Sequence, residues 1–151
     1  MTITDRLTEA IRQVLEDLSL PGDPVVTAGI ETAVNEQESM RVIVTATSSE
    51  LRKLLLPGNY DVTGEVTVFM TIDTQEDETA NLKADFRTLC DAVEEIVGQK
   101  YLMPMRLQSA DTKLNVYSWS LTGQDSFMQS RAMGAKFNWT CYVRQDSHNP
   151  N

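Results

Sequence analysis

The residues able to do chemistry are few and widely spaced. The single histidine, His148, stands in the closing stretch "DSHNPN". A catalytic base must be held within hydrogen-bond reach of its nucleophile, which a solvated chain end cannot provide. Cys90 and Cys141 are far apart, and no CxxC or HxxxH spacing of the kind that builds a zinc site is present. Both fall within expected regular elements, where burial as small hydrophobes is the simpler reading. Two cysteines in a chain of this size point to a reduced, cytosolic folding environment and not to a disulfide framework. Glu76-Asp77-Glu78 lacks the alternating Asp/Asn and the Gly of a calcium loop and reads as the charged start of a helix. Glu94-Glu95 falls on the polar side of that helix, as solubility charge. The seven glycines are scattered, mostly at turns, and form no phosphate loop. Trp119, Phe137, Trp139 and Tyr142 offer ring faces to bases, but too few basic residues stand beside them for a sheet-type RNA binder. Core or interface packing is expected of them instead. The expectation is therefore a protein with no catalytic residues, no cofactor and no metal, whose specificity lies in surfaces.

Composition sets the frame for those surfaces. The chain has 151 residues, a formal net charge of −9 and a sequence pI of about 4.5. Affinity for phosphate backbones needs clustered Lys and Arg and is not expected. An acidic wall past which nucleic acid slides is compatible with the same charge. Hydrophobic content of 41% with 23% charged residues is that of a globular domain, and a chain of this length closes one sizeable core without staples. One domain is expected over 1–145, with a flexible tail over 146–151. The start "MTITDRLTEAIRQ" has no apolar h-region, so no signal peptide is expected, and no apolar run is long enough to span a membrane.

The elements that must position any site follow from periodicity. Ile3, Leu7, Ile11, Val14, Leu15 and Leu18 recur at helical spacing, predicting a helix over Ile3–Leu20 capped by Thr2 or Thr4 and stopped by Pro21 and Pro24. Val25–Ile30 reads as a short strand and "TAVNEQES" as a polar connection. Met40–Thr47 is a β-branched strand. "SSELRKLLLPG" is ambiguous, with a short helix through Leu56 as the working expectation. Glu65–Asp73 is the best strand, with Val66, Val68, Met70 and Ile72 on one face. A second long helix is predicted over Glu78–Val97, its stripe formed by Leu82, Phe86, Leu89, Val93 and Ile96, and Gly98 ends it. Residues 99–112, with Pro104 in their middle, read as irregular. Lys113–Leu121 and Ala135–Gln145 close the chain as strands. The fold class that results is α+β, a mainly antiparallel sheet with two long amphipathic helices packed on one face.

Both faces of this sheet are partly apolar, through Ile43, Phe69, Tyr117, Trp119 or their neighbours, and exposed apolar area marks interaction sites. The connection "GQDSFMQSRAMG" (Gly123–Gly134) adds an aromatic and two methionines to what reads as a loop. The candidate interface residues are Phe127, Met128, Arg131, Met133, Phe69 and Trp119. The bland reading is that the loop folds back into its own core. The sharper one is that this hairpin reaches a neighbouring copy, head to tail, in a ring closed by symmetry.

The layout resembles the tail terminator and head–tail joining (neck) proteins of tailed bacteriophages. The features that carry the resemblance are "TDRLTEAIRQVLEDL", "GEVTVFMTIDTQEDETANLKADFRTLCDAVEEIV" and the closing hairpin with "AKFNWTCYVRQ", across residues 3–145. The resemblance is one of layout, with no signature motif. It implies an α+β subunit of a homohexameric ring in the virion tail or neck, assembled in the host cytoplasm. Such a ring stops tail-tube growth and meets the tail tube protein on one side and the head connector on the other. Genomic DNA passes through the lumen without sequence-specific binding. No enzyme activity, cofactor or membrane is implied. The alternatives are another neck, tail-completion or tube subunit, and, from a different class, a small cytosolic binding adaptor.

Overall fold

The structure is a computed structural model and describes residues 2–29, 40–51, 59–71, 76–129 and 132–145. Helix α1 spans Ile3–Asp17. Its N-terminus is capped by the Thr2 hydroxyl, which accepts from the Asp5 backbone N–H at 3.1 Å. The stripe of Ile3, Leu7, Ile11, Val14 and Leu15 is buried, as its spacing predicts. The helix ends three residues before the expected Leu20, because the chain turns through Ser19 at φ 52° and lets Leu20 enter the core on its own.

Five strands form one sheet in the order β1-β2-β3-β5-β4. They are β1 (Val25–Ala28), β2 (Met40–Leu51), β3 (Asn59–Thr71), β4 (Leu114–Gln129) and β5 (Ala132–Gln145). The sheet is mixed: β1 runs parallel to β2, and the other three pairings are antiparallel. The fold is thus α+β, with a parallel edge pair that strand periodicity does not reveal.

Helix α2 (Glu76–Val97) is the second long helix. A third, α3 (Leu102–Ala110), replaces the irregular segment expected there. Pro104 misled that reading. It occupies the first turn of α3, where a backbone N–H has no intrahelical partner, so the missing donor costs nothing. Helix residues of α1, α2 and α3 share one core with Val42, Val44, Val62, Val66, Val68, Phe137, Trp139 and Val143 of the sheet. The other sheet face, with Thr67, Phe69, Lys136, Asn138 and Tyr142, is only half-buried.

The strands run longer than their sequence patterns suggest. β2 continues through Ser48–Leu51, where a helical turn was expected, after a register shift between Ala46 and Ser48. The rest of that expected helix, 52–56, lies outside the described residues, as do the polar connection 32–39, Ile72 and Asp73, His148 and the tail 146–151. β3 begins at Asn59 and not at Glu65, with Val62 and Gly64 continuing the inward alternation. Gly64 is required there, because a Cβ would collide with the Trp139 ring and the Thr45 carbonyl. The largest correction concerns "GQDSFMQSRAMG". It is no loop: β4 runs to Gln129 and β5 starts at Ala132, so nearly all of it is a paired hairpin end.

Candidate interaction surface

The hairpin end gathers most of the residues that the sequence singled out. Phe127 and Phe69 are the cross-strand partners of the same residue, Gly134, on its two sides. The three form one row across β3, β5 and β4. The Phe127 ring lies against Gly134, where any Cβ would collide with it. Gly134 therefore exists to seat this ring, a glycine–aromatic pairing that holds the hairpin in register. Lys136, one row further along, places its Nζ 6.0 Å from the Phe127 centroid and 4.0 Å from a Glu65 carboxylate oxygen.

Met128 and Met133 are also direct cross-strand partners, yet they differ in exposure. Met133, paired on its other side with the buried Met70, is 5% exposed, whereas Met128 on the edge strand is 65% exposed. Arg131 lies outside the described residues. Trp119 does not belong to this surface at all. Tyr117 faces outward, next to the inward Val116, and its ring stands 5.0 Å from that of Tyr142. A register shift between Val116 and Ser118 then turns Trp119 inward, 1% exposed and stacked on Trp139 at 5.0 Å. Its indole N–H donates to the Val97 carbonyl at 2.7 Å, satisfying one of the last carbonyls of α2. The sequence alternation cannot show this, because a bulge changes the phase of every residue after it.

Between α2 and the hairpin end lies an open groove of about 660 Å³. Phe86 and Cys90 line it from the helix, and Met128, Met133 and Phe137 from the strands. Lys83, Phe86, Arg87, Cys90 and Glu94 recur at helical spacing, so one face of α2 forms the whole helix-side wall. The inward positions of β4 here are Gln124, Ser126 and Met128, paired with Phe137, Ala135 and Met133, and all three are exposed.

Cys90 has its thiol pushed up to about 11, by burial first and then by Asp91 and Glu94. Cys141 is pushed up to about 12 by burial and by Asp61. Both are protonated at neutral pH, the poor state for a nucleophile or a metal ligand. Among the described residues no group of three or more His, Cys, Asp or Glu side chains comes together to hold a metal ion. No helix among them is long and apolar enough to cross a membrane.

A second exposed apolar surface was missed by sequence reasoning. Leu18, Leu102 and Met105 line a smaller groove of about 350 Å³ between the end of α1 and α3. They are 39%, 44% and 63% exposed, and the adjoining Tyr101 is 82% exposed. The signal was present in "KYLMPMRL". Met103 and Leu107, four apart, are buried, which leaves Leu102 and Met105 out of phase on a helix too short to bury a second side. Arg6 and Asp111, 3.3 Å apart, tie α1 to the end of α3 and fix this surface.

No family model and no curated protein matches the sequence.

Proposed function

We propose that the protein is a structural, non-catalytic ring subunit of a phage tail, a terminator or head–tail joining protein. The observation that carries the reading is the open apolar groove at the hairpin end, with Met128 exposed at its wall. An apolar, methionine-bearing concavity whose one cysteine, Cys90, keeps its thiol protonated suits protein contact. Element order supports it too: an N-terminal amphipathic helix, a central strand leading into a long helix, and a closing hairpin are the features on which the resemblance rests. The net charge of −9 suits a lumen that passes DNA without holding it. In this reading the ring is homohexameric, contacts the tail tube protein and the head connector, and resides in the virion.

The test is mass and shape together. Light scattering on the purified protein is expected to give a mass near six times 16.9 kDa, and negative-stain images single annuli. Stacked tubes would move the assignment to a tube subunit. A monomer that also fails to bind isolated tail tubes overturns the proposal.

A further inference from the structure

Strand β4 is an edge of the sheet, and its outer side is unpaired among the described residues. We infer that this edge pairs with the same edge of a second copy, antiparallel, about a twofold axis at the register shift after Leu121. The inference does not rest on the ring reading.

Two hydrogen bonds show which main-chain groups face the edge. Leu114 and Val116 point their side chains into the core. Their N–H groups turn away from β5. That of Leu114 donates to the Asp111 carbonyl at 3.1 Å, and that of Val116 to Gln108 Oε1 on α3, also at 3.1 Å. Along a strand, side-chain face and hydrogen-bonding side alternate together. The inward residues of β4 therefore turn their N–H and C=O groups to the outer edge. Beyond Val116 these residues are Trp119, Leu121, Gln124, Ser126 and Met128, because each register shift moves the alternation by one. Helix α3 serves the edge as far as Val116. From Ser118 to Met128 most side chains are exposed, and Asp125 is the one charge that guards this stretch.

The bulge selects the occupant. Trp119, Leu121, Gln124 and Ser126 face the edge at spacings of two, three and two. A regular strand repeats every two residues, so it falls out of phase with this edge at the bulge. The spacing two, three, two reads the same in both directions. A second β4 laid antiparallel carries its own break opposite this one. Trp119 of each copy then exchanges main-chain bonds with Ser126 of the other, and Leu121 with Gln124. Inward side chains meet inward side chains, and both helix layers lie on one side of the joined sheet.

Charge permits this register. Asp125 comes opposite Ser120, and the two Asp125 side chains stand five positions apart. That is about 17 Å at roughly 3.4 Å per residue, beyond the Debye length of about 8 Å at 0.15 M salt. Within its own sheet, Asp125 has Lys136 as its cross-strand partner. Phe127 comes opposite Ser118 and gives the neighbouring exposed Tyr117 ring a partner. The contact is isologous and by itself closes at a dimer. A strand of another protein is the competing occupant.

Cross-linking separates the two. Ser120→Cys and Asp125→Cys are made as separate variants. Under mild oxidation each alone is expected to give no disulfide dimer above the wild-type background, since like positions are about 17 Å apart. Their equimolar mixture is expected to cross-link, because the two positions face each other at about 4.5–5.5 Å between Cα atoms. A mixture that does not cross-link, or single variants that cross-link as well as the mixture, overturns the inference. Light scattering adds a second readout. Wild type is expected at twice 16.9 kDa or an even multiple of it. Ser126→Pro removes an N–H that faces the edge and none that β5 uses, and is expected to halve that mass with an unchanged circular dichroism spectrum. The cross-link decides alone should that variant unfold. An unchanged mass in folded Ser126→Pro overturns the inference, and at six times 16.9 kDa it leaves the ring reading standing. A plain dimer with the cross-link confined to the mixture upholds the inference and withdraws support from the ring reading.

Discussion

Cys90 and Cys141 hold their thiols protonated at neutral pH because each would have to bury a thiolate beside a carboxylate. The consequence for stability has a definite sign. The unfolded thiols titrate near 9.0, whereas the folded ones titrate at about 11 and about 12. Below the unfolded value both states keep their protons and the thiols are neutral in effect. Above it the unfolded state releases protons that the folded state retains, so folded stability falls as pH rises toward the folded values. Urea midpoints are expected to drop on going from pH about 8 to pH about 10.5, and the Cys141→Ala variant to show a shallower drop. An equal slope in the variant would assign the loss to other groups. Iodoacetamide at neutral pH is expected to leave Cys141 unlabelled until the chain unfolds. Much of this was legible from type and position alone, since an apolar stripe or strand face predicts burial. So were the carboxylates beside Cys90, since Asp91 and Glu94 stand one and four residues along the same helix, but Asp61 meets Cys141 only through the pairing of β3 with β5.

At the scale of elements, hydrogen bonds from β4 to α2 and α3 tie the helix layer to the outer strand. Trp119 on β4 donates to Val97 at the end of α2, inside the core. Trp119→Phe removes that donor and part of the ring. It is expected to lower stability by about 1–3 kcal/mol, from the orphaned carbonyl and the small cavity together. Denaturant unfolding measures it, and a loss below about 0.5 kcal/mol would show that Val97 finds another donor or water. Periodicity found α1, the core of α2 and the inward face of β5, where Phe137, Trp139, Cys141 and Val143 alternate without interruption. It stopped short in β3 at Gly64 and in β4 at the register shift after Leu121. A glycine and a bulge each interrupt the two-residue repeat while the backbone ladder continues. The hairpin end read as a loop for that reason: β4 persists through pairing with β5, and β5 through pairing with β3, which a local pattern does not contain.

For the whole molecule, charge acts at long range. Each copy carries a net charge of −9, so copies repel at a distance. Screening removes that repulsion: the Debye length falls from about 30 Å at 0.01 M salt to about 8 Å at 0.15 M. The assembled fraction of the proposed ring, measured by light scattering, is therefore expected to rise from about 0.01 to about 0.15 M salt. A fraction that falls over that range would show that attraction between opposite charges, and not apolar contact, holds the copies together. The same charge balance underlies the lumen proposed for DNA, which needs repulsion and no basic track.

Taken by itself, the sequence determined an α+β domain, the two long helices and the inward faces of the main strands. Each of these depends on residue type and on repeats within a single element, which are local properties. Tertiary structure alone decided the parallel β1–β2 edge, the zipped hairpin end, the inward turn of Trp119 and the exposure of α3. Those depend on which strand pairs with which, on the phase change at a bulge, and on how far each helix covers the sheet. Met128 and Met133 make the difference plain. They share residue type and a cross-strand pair, and only their place in the sheet, Met133 on the internal β5 and Met128 on the edge strand β4, leaves one buried and the other exposed.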